Sequence, residues 1–267
     1  MLYYAIGDIH GMDDLLGDIL EQIKTHHAEN FPAVDKQLIF LGDYVDRGPK
    51  SKDVIDRVMA LDNPIILPGN HEDMMLSMFT SINDNSFEQD MMWWGSNGGF
   101  QTLQSYFGPD HESSDPKNWH NRSMCVAWMK EFAKNFPTHF EFLVNCVGNK
   151  YSPTGKTHHI DVADRIMFVH AGVQPHKLLD DQTSQTFLWT RDSDFLHDRV
   201  KWIEPSVDMV VHGHTPMSEG MFAKHRTGLD IGSVFTSHLL CGVFLDGKLV
   251  DKIMATGTKT PYHAARF

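Results

Sequence analysis

The chain reads as an α/β protein whose strands end in loops loaded with acids and imidazoles. Three observations carry that expectation. Short apolar runs over 2–6, 37–41 and 64–67 have the length and composition of buried strands. The first two are followed by segments of helical periodicity, giving β-α-type units. Each run ends in glycines and polar groups: Gly7-Asp8-Ile9-His10-Gly11, Gly42-Asp43-Tyr44-Val45-Asp46-Arg47-Gly48 and Gly69-Asn70-His71-Glu72. In open α/β sheets, ligand sites form at such carboxyl ends of strands.

After the first strand, Leu15, Leu16, Ile19, Leu20 and Ile23 recur at helical spacing and predict a helix over 13–27. Ser51 reads as the N-cap of a second helix that sets Val54, Ile55, Val58 and Met59 on one face. From about residue 82 to 164 the pattern changes. Met91, Trp94, Phe100, Leu103 and Tyr106 indicate a helical region interrupted by Gly95 and Gly98-Gly99. A polar stretch over 109–121 precedes another helix carrying Val126, Met129 and Phe132. This region reads as a mostly helical cap inserted into a single domain spanning 1–267, its aromatics forming core and not a binding platform. Residues 149–164, with Pro153, Gly155 and His158-His159, read as a loop whose paired histidines are solvated. Strands return over 165–169, ending in His170-Ala171-Gly172, and over 207–211, ending in His212-Gly213-His214-Thr215-Pro216. In the tail, Asp246-Gly247 is a two-residue hairpin turn between strands over 241–245 and 248–253.

Composition narrows the class. At 267 residues, with 41% hydrophobic and 22% charged residues, the chain is expected to be soluble and globular. It shows no basic, apolar leader and no apolar run near the ~20 residues that span a bilayer. A cytoplasmic location without membrane association is therefore expected. A net charge of −12 argues against nucleic-acid binding, which relies on basic surfaces. Any attraction for phosphate must then be concentrated in a local site. Cys125, Cys146 and Cys241 are too far apart for a Cys-x-x-Cys metal pair, and none has an arginine six positions on. The Cys-x5-Arg thiol phosphatase pattern is thus excluded, and the three read as small buried hydrophobes.

Taken singly, the polar residues have plain explanations. Asp43-x-x-Asp46-Arg47 could be a surface salt bridge on a turn, and a lone histidine is more often a hydrogen-bonded structural residue. Together, Asp8, His10, Asp43, Asp46, Arg47, Asn70, His71, His170 and His214 occupy five strand ends. Carboxylate, amide and imidazole donors without thiolate suit divalent ions of intermediate hardness, namely manganese, iron, zinc or cobalt.

The segments at 7–11, 42–48 and 69–72, with His170-Ala171-Gly172 and Gly213-His214, resemble in order and spacing the calcineurin-like metallophosphoesterases. They are most similar to the bacterial and phage branch of the PPP-type serine/threonine protein phosphatases. The resemblance covers roughly residues 1–235. It implies a four-layer α/β/β/α sandwich of two mixed sheets around a dinuclear metal site. By motif, Asp8 and His10 would bind one ion, Asn70, His170 and His214 the other, and Asp43 both. His212 falls at no ligand position. Two ions ~3.5–4 Å apart lower the pKa of a shared water and clamp an in-line displacement at phosphorus. Arg47 would grip the phosphoryl oxygens, being planar and permanently charged, and Asn70 would contact the phosphate as well as ligate metal. Leu188-Trp189-Thr190-Arg191 resembles the family's Trp-x-Arg segment and nominates Arg191 as the second arginine. His71 would protonate the leaving group while Asp46 orients it.

The resemblance implies a dinuclear, manganese-preferring phosphomonoesterase acting on phosphoserine or phosphothreonine in proteins, with phosphotyrosine and small phosphoesters as further substrates. The alternative is a symmetrical bis(5'-nucleosyl)-tetraphosphatase. That branch often departs from Asp-x-x-Asp-Arg-Gly in the second motif, which is complete here. A metal-binding interaction module without catalysis is the remaining reading.

Overall fold

The structure, a computed structural model, describes residues 1–148 and 156–258. It opens with β1 (Leu2–Ile6), α1 (Asp13–Asn30), β2 (Lys36–Phe40), α2 (Ser51–Met59) and β3 (Ile65–Ile66). Five helices follow: α3 (Asn70–Thr80), α4 (Phe87–Trp94), α5 (Phe100–Phe107), α6 (Arg122–Asn135) and α7 (Pro137–Val147). Then come β4 (His158–Asp161), β5 (Ile166–Val169), α8 (Ser184–Trp189), α9 (Ser193–Leu196) and β6 (Met209–His212). The chain closes with β7 (Met221–Phe222), β8 (Arg226–Gly228), α10 (Ser233–Thr236), β9 (His238–Leu245) and β10 (Lys248–Thr256).

The strands form two five-stranded sheets, ordered β10-β9-β1-β2-β3 and β4-β5-β6-β8-β7. Each has a parallel centre, β1-β2-β3 in one and β5-β6-β8 in the other, with antiparallel strands added at the margins. Both sheets are therefore mixed. The strand period of two sorts side chains into layers. On β1, Tyr3 and Ala5 face the other sheet, where they pack with Phe168, Val211 and Leu229. Leu2, Tyr4 and Ile6 point the opposite way, onto α1, α2 and the helices of residues 70–147. On β5, Ile166 and Phe168 fill the layer between sheets, while Met167 and Val169 meet Phe187, Phe195 and Trp202 outside. Helices, two sheets and helices make the four expected layers.

The helical region packs against the first sheet and its helices. Trp94, Tyr106, Trp128, Phe132 and Leu143 share one continuous buried cluster with β1, α1 and α2. Its aromatics are core, apart from Trp93, which is 55% exposed. Gly98 has φ +114° in the single π-turn that joins α4 to α5, so the interruption falls where the glycines suggest. The tail hairpin also forms, with φ +51° at Asp246 and +71° at Gly247. These are the left-handed values a type I′ turn requires. No helix among the described residues is long and apolar enough to cross a membrane.

Three expectations need correction. Ser51 is the first residue of α2 and not its cap; Lys50 takes that position, and Ser51 Oγ instead accepts the Asp46 N–H at 3.1 Å. His158 and His159 lie in β4, paired antiparallel with β5 at Val169 and Phe168, so they are partly buried strand residues. Residues 149–155 of that proposed loop lie outside the described residues. Finally, α3 and α7 are helices that the periodicity reading passed over. The first begins inside a functional motif, and the second follows α6 after Phe136 alone.

Phe168 is fully buried between the sheets, 5.1 Å from the Tyr3 ring and 5.8 Å from that of Phe244. Phe168→Ala is expected to lower unfolding free energy by about 3–5 kcal/mol, the cost of an aromatic-sized cavity. Urea unfolding followed by circular dichroism checks this; a loss under ~1 kcal/mol would mean that the sheets are not packed through this ring.

Candidate active site

Six strand ends converge at one edge of the sandwich, those of β1, β2, β3, β5, β6 and β8. Their loops are tied to one another by backbone hydrogen bonds. Ile9 and His10 N–H groups donate to Asp43 O at 3.1 and 2.8 Å, Gly11 N–H to Tyr44 O at 2.8 Å, and Gly213 N–H to His170 O at 2.7 Å. The Glu72 carboxylate accepts four more backbone N–H groups, from Gly69, Asp43, Tyr44 and Val45, at 2.8–3.2 Å. Five non-glycine residues here adopt left-handed backbone: His10 (φ +48°), Asp43 (+55°), Asp46 (+71°), Arg47 (+68°) and His214 (+65°). Each such residue costs on the order of 1–3 kcal/mol, so the surrounding bonds must impose the geometry. Glycine is required where loops touch. A Cβ on Gly69 would fall on Asp43 Oδ1, and one on Gly213 on Asp8 Oδ1.

Asp43 stands at the centre. Its Oδ1 lies 3.4 Å from His170 Nε2, and its Oδ2 lies 3.5 Å from His10 Nε2 and 3.9 Å from His71 Nε2. Two groups of ligand atoms result, each within 4.8 Å: His10, Asp43 and His71, and Asp43, His170 and His214. The Asn70 Oδ1 joins the second group, 2.9 Å from His170 Nε2 and 2.8 Å from His214 Nδ1. Asp8 stands outside both groups. Its oxygens accept the His214 backbone N–H at 3.0 and 3.1 Å, and its side chain meets that of Asp230.

This donor set fits divalent metal. His170 Nδ1–H donates to Leu41 O at 2.8 Å, which leaves Nε2 as a bare lone pair. That lone pair faces the Asn70 and Asp43 oxygens, and acceptors brought together in this way need a cation between them. His10 repeats the arrangement, with Nδ1 on Val45 O at 2.9 Å and Nε2 turned into the site. His214 Nε2 is buried with no hydrogen-bond partner among the described residues. Burial dominates the titration of these groups. It pushes Asp43, Asp46 and Glu72 up to about 7, and Asp8 well above the carboxylate range. It also drives His10 and His71 well below the imidazole range and His170 down to about 4. Four buried acids with scant compensating charge are costly unless cations neutralise them.

Arg47 is one such cation, its Nη1 lying 2.7 Å from His10 Nε2. Arg191 is exposed at the rim and makes no hydrogen bond or ion pair among the described residues, yet its charge depresses His71, His170 and His214. His71 and Asp46 form a buried pair, Nδ1 to Oδ2 at 2.7 Å. Asp46 is held in turn by the Thr102 hydroxyl at 2.6 Å and by Trp94 Nε1–H at 3.0 Å. His212 is buried outside the ligand groups, accepting from the Arg226 guanidinium at 3.0 Å.

The sequence reading did not single out Glu72, Trp94, Thr102 or Asp230. Glu72, three residues after Gly69, makes only the glutamate half of a capping box, accepting the Gly69 N–H, and glycine at the cap hides that signature from the sequence. Asp230 follows β8, a strand of only three residues. Trp94 and Thr102 carry no local signal, because their role depends on how α4 and α5 fold against the second loop.

A family model for calcineurin-like phosphoesterases matches residues 1–224. Proteins of Bacillus cereus (strain 03BB102) and Bacillus anthracis (strain CDC 684 / NRRL 3495), both named asymmetrical bis(5'-nucleosyl)-tetraphosphatase PrpE, are each 26% identical to this chain. Those matches cover 90% of this chain and 89% of each relative. The crystal structure of a proposed diadenosine tetraphosphatase superimposes with a TM-score of 0.57 at 19% identity, covering 96% of this chain and 95% of that one. At that identity the likeness shows the fold.

Glu72→Gln puts an amide NH2 where a carboxylate oxygen accepts two backbone N–H groups. The expected result is a loss of roughly 2–5 kcal/mol in stability. Calorimetric melting checks it; an unchanged melt would remove Glu72 from its place as the tie between loops.

Proposed function

Because the chain belongs to the calcineurin-like phosphoesterase family, we propose that it is a metal-dependent phosphohydrolase that cleaves bis(5'-nucleosyl) tetraphosphates asymmetrically. The observation that carries the substrate is the near end-to-end similarity to relatives named for that activity. This reverses the order reached from the motifs, where the complete loop over 42–48 favoured phosphoproteins. It also replaces symmetrical with asymmetrical cleavage. The phosphoprotein reading keeps that loop as its support and stands second.

In this reading His10 and Asp43 would hold one divalent ion, with Asp8 as its further carboxylate although it stands outside the group those two form with His71, and Asp43, Asn70, His170 and His214 would hold the other. Manganese is the first candidate. When bound, the ions supply an activated water and positive charge at the phosphoryl group. The Asp43 oxygens face opposite groups of imidazoles, as a bridging carboxylate must. Arg47 and Arg191 bind phosphoryl oxygens, and charge-assisted bonds there strengthen as negative charge spreads over them. The −12 of the chain makes these arginines the local attraction for an anionic substrate. His71 would deliver a proton from Nε2 to the departing oxygen, since Nδ1 is committed to Asp46; because burial favours the neutral ring, the Asp46 carboxylate has to stabilise the imidazolium for it to do so. Trp94 and Thr102 keep the Asp46 carboxylate turned to that imidazole.

The test pairs substrates of different leaving group. Diadenosine tetraphosphate is expected to be hydrolysed with a higher kcat/KM than a phosphoserine peptide; the reverse order would favour the phosphoprotein reading. His71→Asn is expected to lower turnover of the phosphoserine peptide at least ~100-fold with metal content retained. Its effect on the tetraphosphate should be smaller, because a departing phosphate is already a stable anion. Equal losses on both substrates would mean that His71 is not the proton donor.

A further inference from the structure

Beside the candidate site, a cavity of about 350 Å³ opens between the start of α1, the loop following Arg47, and α5. Arg47 lines it together with Met12, Pro49, Val234, Gln101 and Gln104. The acids at its mouth are already paired. Asp13 binds Arg57 through two bonds of 2.6 and 2.8 Å, and Asp14 binds Lys50 at 2.7 and 2.8 Å. The amides are not. Gln101 Oε1 accepts no hydrogen bond among the described residues and is closed off from the cavity as it stands, a costly condition for a carbonyl oxygen that rotation of the amide toward the cavity would relieve. Its position is fixed by the next residue, since Thr102 Oγ1 both donates to Asp46 Oδ1 at 2.6 Å and accepts the Asp46 N–H at 2.8 Å. An unpaired amide is thus held on the same frame that orients His71.

Resting on the tetraphosphatase reading, we infer that this cavity receives the purine base of the nucleotide whose phosphate lies at Arg47, with Gln101 as the residue that reads it. A glutamine amide offers a donor and an acceptor side by side, the complement of the N6 and N7 edge of adenine. Met12, Pro49 and Val234 supply apolar walls for the ring faces. The volume falls in the range of small-molecule sites, which are concave and mostly apolar with a few placed polar groups. Arg47 and the base share one cavity, so the phosphate between them is the nucleoside's own 5'-phosphate. Attack at that phosphorus forms a bond to the water oxygen and breaks the α–β anhydride bond. The nucleoside triphosphate leaves with the electron pair as a stable anion that His71 can protonate, the monophosphate keeps the water oxygen, and the proton lost by the attacking water passes to solvent. Cleavage is then asymmetrical by geometry.

The test compares adenosine 5'-monophosphate with ribose 5-phosphate, which differ by the base alone. Calorimetric binding to the manganese-loaded full chain is expected to favour the adenine nucleotide by at least about tenfold, the discrimination of one bidentate amide–adenine pair. Gln101→Ala should narrow that ratio to under about threefold. Gln101→Glu, which keeps the size but removes the donor, should do the same. Hydrolysis of diadenosine tetraphosphate in 18O-water should place the label in the monophosphate. Equal wild-type affinities, parallel weakening of both ligands by Gln101→Ala, or label in the triphosphate would overturn the inference. So would a variant that weakens only phosphopeptide binding, which would make the cavity a side-chain pocket. Failure to turn over the tetraphosphate with the base preference intact would sink the substrate reading and leave the pocket standing.

Discussion

The Glu72 carboxylate, fully buried at the first turn of α3, accepts the N–H groups of Gly69, Asp43, Tyr44 and Val45. That one group joins the loop after β2 to the loop after β3. From there the connections spread. Asp43 O receives the first loop through Ile9 and His10, and the Asp43 carboxylate receives the His71 N–H at 3.1 Å. Asp8 then receives the fifth loop through the His214 N–H. The five left-handed residues lie in these loops or in the turn at Asp46-Arg47 that follows. Without such ties the chain would relax to ordinary dihedrals, and the oxygens and imidazoles would no longer face one another.

The same arrangement has an electrostatic cost. Asp8, Asp43, Asp46 and Glu72 are withdrawn from water, and burial raises all four. Each meets the cost differently. Glu72 spreads its charge over four N–H donors, and Asp46 over Thr102, Trp94 and His71. Asp43 and Asp8 have fewer donors and sit beside imidazoles whose lone pairs also point inward. Their compensation is cationic, from Arg47 and from the metal ions that this donor set suits. Buried acceptors that need cationic partners are the kind of local conflict that a fold tolerates at a functional site.

Much of this was legible in the chain. The apolar runs located β1, β2, β5 and β6, and the Asp246-Gly247 pair located the tail hairpin, because period and turn chemistry are local. The polar strand ends were visible for a related reason: charged residues beside glycines conflict with what a plain turn needs. What escaped depends on tertiary contact. Trp94 and Thr102 look like ordinary helix residues until α4 and α5 close over Asp46. His158 and His159 look solvated until β4 pairs with β5, and Asp230 is hidden behind a three-residue strand. The substrate was the least legible part, since the roles proposed for Asp43, Asp46 and Arg47 would suit an ester and an anhydride alike. The unpaired Gln101 amide bears on that choice, and it is found only by folding the chain.

The central proposal is that Asp43 would be shared by two divalent ions. Its most direct test is electron paramagnetic resonance of the manganese-loaded protein, with metal counted by elemental analysis. The prediction is two manganese ions per chain with a spin-coupled spectrum, and loss of the coupling in Asp43→Asn. A single uncoupled ion per chain, or coupling that survives Asp43→Asn, would contradict it.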